Sequence, residues 1–149
     1  MRVLGLDVGE KTIGVAVSDG LGISAQGVLV IRRQSKEKDM AALLKIIEEY
    51  EAERIIIGLP KNMDGSLGPQ AEKALAFAEM LKKRFGLPVE AYDERLSTVL
   101  AQKALIEGGA SRAKRKTVID MLAAQVILQG WLDRKGKSAE GNTIPTREA

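Results

Sequence analysis

Four carboxylates in this 149-residue chain stand where an α/β protein places its chemistry, at the ends of apolar runs or on an inward helix face. Asp7 follows the apolar run Val3-Leu4-Gly5-Leu6, and the chain then turns through Val8-Gly9-Glu10 into a second run at 11–18. Asp93 and Glu94 follow a shorter run at 89–92. Asp120 lies inside a long helical pattern, and Gln129, nine residues on, falls about 180° around a helix from it. Asp120 therefore shares its face with Ala123, Ala124 and Ile127 and points into the protein. A carboxylate in such a place is costly unless something cationic meets it. Lys11, Arg95 and Lys116 are the nearest structural partners in sequence for Asp7, Glu94 and Asp120. Together the carboxylates also form a plausible site for one or two Mg²⁺ or Mn²⁺ ions, which activate water and stabilise the leaving oxygen in phosphodiester hydrolysis. Asp93 and Glu94 point to opposite sides of a regular strand, so one of them faces Asp7; the residues leave open which.

Composition removes most rival chemistry. Cysteine and histidine are both absent. Without Cys there is no disulfide, thiolate nucleophile or Cys-built zinc site, and without His there is no Ser-His-Asp triad or HExxH metal site. Ser97 reads as a helix cap rather than a nucleophile, because no neighbouring base is evident. No apolar run approaches the roughly 20 residues of a membrane span, and no leader pattern is present, so the expected location is the cytoplasm.

The net charge is small, 23 − 20 = +3, but the positive residues are clustered. Arg32-Arg33 with Lys36 and Lys38, and Lys82-Lys83-Arg84, read as solvated surface. Arg112, Lys114, Arg115 and Lys116 immediately precede the Asp120 helix and read as phosphate-binding. With 3% aromatic residues, binding of nucleic acid would rest on phosphate contacts rather than stacking.

The elements that must position these groups follow from periodicity. Strands are expected at 2–7, 11–18, 25–31, 54–58 and 89–92, with that at 25–31 a candidate edge strand. In 2–7, Val3, Gly5 and Asp7 share one face; in 11–18, Thr12, Gly14 and Ala16 form a small-residue face that would admit a ligand or another backbone. Helices are expected over 36–50, with Met40, Leu43, Leu44 and Ile47 inward, from Pro69 to the stop at Gly86, from 97 or 98 to 107, and over 116–134. The polar loop after Pro60 carries Lys61 and Asn62, which fit either phosphate contacts or a plain surface loop. Residues 110–116 read as a basic connection, and 135–149 as a disordered tail after a single domain of 1–134. A hairpin followed by strand–helix alternation implies a mixed five-stranded sheet with helices on both faces.

The motifs Asp7-Val8-Gly9-Glu10-Lys11-Thr12-Ile13-Gly14, Gly58-Leu59-Pro60, Asp93-Glu94-Arg95-Leu96-Ser97-Thr98 and the Asp120 helix resemble the YqgF/RuvX family of bacterial pre-16S rRNA nucleases, also described as Holliday-junction-resolvase-like. The likeness covers all but the tail. It implies a ribonuclease H-like fold, Asp7, Glu94 and Asp120 as the acidic motif positions, and cleavage at the 5′ end of the 16S rRNA precursor. It favours Glu94 over Asp93, which is left to pair with Arg95. Where the family often has Arg, this chain has Lys11, which keeps the charge without a bidentate fork. On this reading Lys11, Lys61, Asn62, Arg95 and the 112–116 cluster meet substrate, and Gly9 and Gly14 allow its close approach beside Asp7. Branched DNA is the alternative substrate, and monomer and homodimer are both open. Two other classes fit the residues. An Asp-x-Gly hairpin also opens the actin/hexokinase/Hsp70-like ATPase fold, which needs two lobes where 149 residues supply one. A non-catalytic RNA- or transcription-complex-binding protein would keep the carboxylates for structure.

Overall fold

Three consecutive isoleucines, Ile55, Ile56 and Ile57, are all buried, as expected of a strand covered on both faces. A computed structural model describes residues 1–96 and 112–141, with side chains described for 1–96 and 119–135. Its elements are β1 (Arg2–Val8), β2 (Thr12–Ser18), β3 (Ala25–Arg32), α1 (Lys36–Tyr50), β4 (Ala52–Leu59), α2 (Pro69–Phe85), β5 (Val89–Asp93), a 3₁₀ turn (Glu94–Leu96) and α3 (Arg112–Gly141). They form one mixed five-stranded sheet in the order β3-β2-β1-β4-β5. The β1–β2 and β2–β3 pairs are antiparallel, and β4 runs parallel to both β1 and β5.

Strand alternation splits the core in two. Leu4, Leu6, Val15, Ile55 and Ile57 turn to α1 and α2, where they meet Met40, Leu43, Ala74 and Leu81. Val3, Ala16, Ile56 and Tyr92 turn to the other face and meet Ala123, Ala124, Ile127 and Leu128 of α3. Each fully buried aliphatic side chain contributes about 1.5–3 kcal/mol, so both layers are needed to hold the sheet. α1 starts at Ser35, whose Oγ accepts from the Lys38 amide at 3.2 Å, and ends at Glu51 in the left-handed conformation. α2 starts with Pro69 in its first turn and stops at Gly86, as the Pro/Gly punctuation expects.

Several expectations are corrected. Leu44 is exposed, and Ile46 takes the inward position beside Met40, Leu43 and Ile47. The basic residues 112–116 are not a connection: the backbone from Arg112 is already helical, and the cluster forms the first turns of α3. The helix also continues past Arg134 to Gly141, into the stretch expected to be a tail, while 142–149 lie outside the described residues. The helix expected near 97–107 lies outside them as well. β3 is an edge strand, and α3 covers it: Gln129 and Gln125 accept from the amides of Ala25 and Gly27 at 2.9 and 3.1 Å.

Candidate active site

The small face of β2 is what brings the carboxylates together, because it lets α3 rest directly on the sheet. A Cβ at Gly14 would overlap the main-chain carbonyl of Asp120, and one at Gly5 would come within 2.6 Å of Leu128 Cβ. Gly14 therefore admits the helix backbone, not a substrate, which corrects the role expected for it. Asp7 pairs across the β1–β2 ladder with Gly14, so its side chain leaves the sheet on the α3 side beside Asp120. Asp120 is buried, and its Oδ2 accepts a 2.7 Å hydrogen bond from Thr12 Oγ1. The hairpin turn beneath is closed by the Gly9 amide donating to the Thr12 carbonyl at 2.8 Å.

Glu94 arrives from the far side. β1 and β5 are not neighbours; β4 lies between them, parallel to both, so the two strand ends still share one edge of the sheet. Glu94 sits just past β5, in the 3₁₀ turn, rather than on the strand. Its side chain folds over β4 where a Cβ on Gly58 would come within 2.6 Å of Glu94 Oε2. The missing side chain at Gly58 thus makes room for this carboxylate. Asp7, Lys11, Thr12, Glu94 and Asp120 line a single cleft of about 430 Å³, with Pro60 and Gln70 on its wall.

Asp93 takes the other course. It is held by Arg95, whose Nε and Nη2 donate to it at 3.1 and 2.7 Å. Hydrogen bonding from the Arg95 side chain holds the Asp93 carboxyl below its ordinary value of 3.8, with help from the Arg95 amide and the charges of Arg95 and Lys61. Arg95 Nη1 also donates to the Met63 carbonyl at 3.3 Å, which ties the loop after Pro60 to this turn. Asn62 is engaged inside that loop, its amide donating to Ser66 O at 3.0 Å and its Nδ2 to Ser66 Oγ at 2.9 Å. Lys61, Asn62 and Arg95 are thus absent from the residues lining the carboxylate cleft, whereas Lys11 is among them. The side chains of Arg112, Lys114, Arg115 and Lys116 lie outside the described residues.

Among the cleft residues, Glu10, Thr12 and Gln70 were given no individual role by sequence reasoning. For Thr12 a signal existed: it keeps the parity of Gly14, so alternation alone puts it on the Asp7 face. Gln70 gave none, since it depends on where α2 docks. The donor set is oxygen-only, which suits a hard divalent cation. Among the described residues, no group of three or more His, Cys, Asp or Glu already stands close enough to hold a metal ion.

An antiparallel hairpin start, parallel β4 and β5, and an acidic strand edge under a C-terminal helix define a ribonuclease H-like fold. Thermus thermophilus RuvC, solved in complex with a Holliday junction substrate, shares it at a TM-score of 0.55, with 20% identity over 91% of this chain and 96% of that one. The fowlpox virus resolvase, solved with Holliday junction DNA, shares it at 0.52, with 9% identity over 91% and 99%. The chain belongs to the RuvX family, described as Holliday junction resolvase, whose model matches residues 1–134. Relatives named "Putative pre-16S rRNA nuclease" include that of Desulforamulus reducens, 60% identical over 92% of this chain and all (100%) of that protein. That of Clostridioides difficile strain 630 is 58% identical over 90% and 95%.

Proposed function

We propose that the chain is a metal-dependent nuclease that hydrolyses phosphodiester bonds of the 16S rRNA precursor at its 5′ end. The observation that carries the reading is the cleft itself: Asp7, Glu94 and Asp120, from three separate parts of the chain, line one cavity beside Lys11. These three carboxylates would hold Mg²⁺ or Mn²⁺, and the reading requires their side chains to draw together around the ion. A bound divalent cation supplies the acidity that turns water into a nucleophile and neutralises the leaving oxygen. The residues of the chain do the positioning. Thr12 holds the Asp120 carboxylate in place, and Gly14 lets α3 descend far enough to bring it there. Lys11 offers a charge to the phosphate entering the cleft. The basic residues Arg112, Lys114, Arg115 and Lys116 stand four to eight residues before Asp120 on the same helix, which supports a role for them as phosphate contacts. Lys61 and Asn62, in the loop after Pro60, and Arg95, in the turn after β5, would meet the substrate strand outside the carboxylate cleft rather than within it.

The names of the relatives support RNA as substrate and, with it, action in the cytoplasm; among the described residues no helix is long and apolar enough to cross a membrane. The family's description favours a second reading, cleavage of branched DNA at the same site. Incubation with a 5′-extended 16S precursor fragment and, separately, a four-way DNA junction, each with Mg²⁺ or Mn²⁺, distinguishes the two. The RNA is expected to be cut, and the Asp7→Asn variant to leave it intact. Equal cutting by that variant overturns the mechanism; cutting of the junction alone transfers it to DNA.

A further inference from the structure

Sequence alone leaves the clusters at 32–38 and 82–84 as solvated surface, about 50 residues apart. The fold brings both onto one groove. Val8, Gly9, Glu10 and Gln70 line both the carboxylate cleft and a larger cavity of about 720 Å³ between α1 and α2. Lys36, Ala76 and Met80 join that cavity to a third, of about 480 Å³, which reaches the C-terminal end of α2. The path thus runs from the carboxylates, over the β1–β2 turn, to the far end of the helix pair.

Five cations line the two outer cavities, Arg33, Lys36, Lys73, Lys83 and Arg84, against the three carboxylates Glu10, Asp39 and Glu79, and Arg84 is itself paired with Glu37 of α1. Arg33 is fixed as part of the floor: it donates to the Gly9 carbonyl at 2.6 Å, pairs with buried Asp39 at 3.5 Å and lies 5.3 Å from the Phe77 ring centre. Lys73 pairs with Glu10 at 3.4 Å, but both side chains are 65% exposed, so a phosphate can displace so weak a contact. Lys36 and Lys83 form no salt bridge among the described residues. Phe77, the aromatic side chain in the lining, is buried and cannot stack on a base. Such a groove recognises charge along a backbone rather than base identity.

We propose that this groove is a second binding site, which receives the phosphodiester backbone of the nucleic-acid strand flanking the scissile bond. Lys36, Lys73 and Lys83 are its phosphate contacts. The inference rests on the nuclease reading for what occupies the cleft. The test is a salt titration of RNA binding without divalent ion, using a precursor fragment with both flanks and versions trimmed on the 5′ or 3′ side. Wild type is compared with a Lys36→Ala, Lys83→Ala double variant and with the corresponding double Glu variant, after urea unfolding has shown both to be folded. In wild type, removing one of the flanks is expected to weaken binding about 10-fold and to lower the slope of log affinity against log salt by about 2.1 for the three lost contacts, whereas the Ala variant, which lacks two of them, should have a slope lower by about 1.4 with both flanks present. In the Ala variant that advantage of the longer RNA shrinks, and in the Glu variant it disappears. A variant with the wild-type slope and the full benefit of both flanks overturns the proposal, as does a wild type whose binding ignores salt. Cleavage by Asp7→Asn would overturn the nuclease reading instead, and these titrations do not depend on cleavage.

Discussion

Thr12 Oγ1 donates a 2.7 Å hydrogen bond to Asp120 Oδ2 across 108 residues of sequence. The bond ties the start of the second strand to the helix that closes the domain, at a carboxylate lining the cleft. A hydrogen bond to a charged group is worth about 1.5–3 kcal/mol. Thr12→Val keeps the β-branched shape and deletes the donor, so it is expected to lower stability by up to that amount and to raise the Mn²⁺ concentration needed for cleavage about 10-fold, as loss of an outer partner does. Thr12→Ser should restore both. The check is a double-mutant cycle with Asp120→Ala, read by urea unfolding; additive losses would show that the two side chains do not act together.

Gly14 is the second test of how α3 is seated. Gly14→Ala forces a methyl group into the Asp120 main-chain carbonyl, and overpacking of this kind costs about 1–3 kcal/mol. Because the residue displaced carries a proposed ligand, cleavage should fall by more than stability alone explains. Comparison with Gly86→Ala calibrates this. That glycine has a positive φ of 68° with nothing within 4 Å of an added Cβ, and it lies at the end of α2; its substitution should cost stability and leave catalysis per folded molecule unchanged.

The two adjacent acids, Asp93 and Glu94, should separate by function. Glu94→Gln removes a carboxylate from the cleft and is expected to reduce cleavage by at least about 100-fold, beyond the 10- to 100-fold typical of an outer-shell partner. Asp93→Asn, outside the cleft lining, should retain most activity. Steady-state cleavage of the precursor fragment decides; a reversed order would exchange their roles.

The Arg95–Asp93 pair predicts a pH signature. Asp93 is held below its ordinary value of 3.8 chiefly by hydrogen bonding from the Arg95 side chain. A depressed folded value means the pair stabilises the protein fully above the unfolded pKa and stops doing so as pH falls through the folded one. Arg95→Gln should therefore be less stable than wild type at pH 7. The gap should stay constant down to about pH 5 and close only below 3.8. Urea titrations at a series of pH values measure it, and a gap that persists at the acid end would assign the loss to the Met63 contact instead.

Removal of divalent cations is the broadest of these tests. Chelation should abolish cleavage, and Mg²⁺ or Mn²⁺ should restore it while Asp7→Asn stays inactive at any ion concentration. A thermal-shift titration with Mn²⁺ reads binding separately, and its midpoint should rise in Glu94→Gln.

Local rules were enough for much of this molecule. Alternation in β1 put Asp7 on the face of Val3 and Gly5, helical arithmetic turned Asp120 inward, and Pro and Gly marked the ends of α2. The absence of His and Cys left oxygen ligands for any metal site and so pointed to a hard cation. Each of these depends on neighbours within a turn or a strand, so the order of residues determined them. The tertiary structure decided what depends on distant docking. Only the seating of α3 on Gly14 shows that the lack of a side chain there serves the helix rather than a substrate, and only the placing of β4 between β1 and β5 carries Glu94 over Gly58 to the cleft. The basic clusters at 32–38 and 82–84 looked like separate surface charges until α1 and α2 packed side by side. The reason is physical: periodicity specifies which way a side chain points, whereas what it meets is set by non-local packing, which no short stretch of sequence contains.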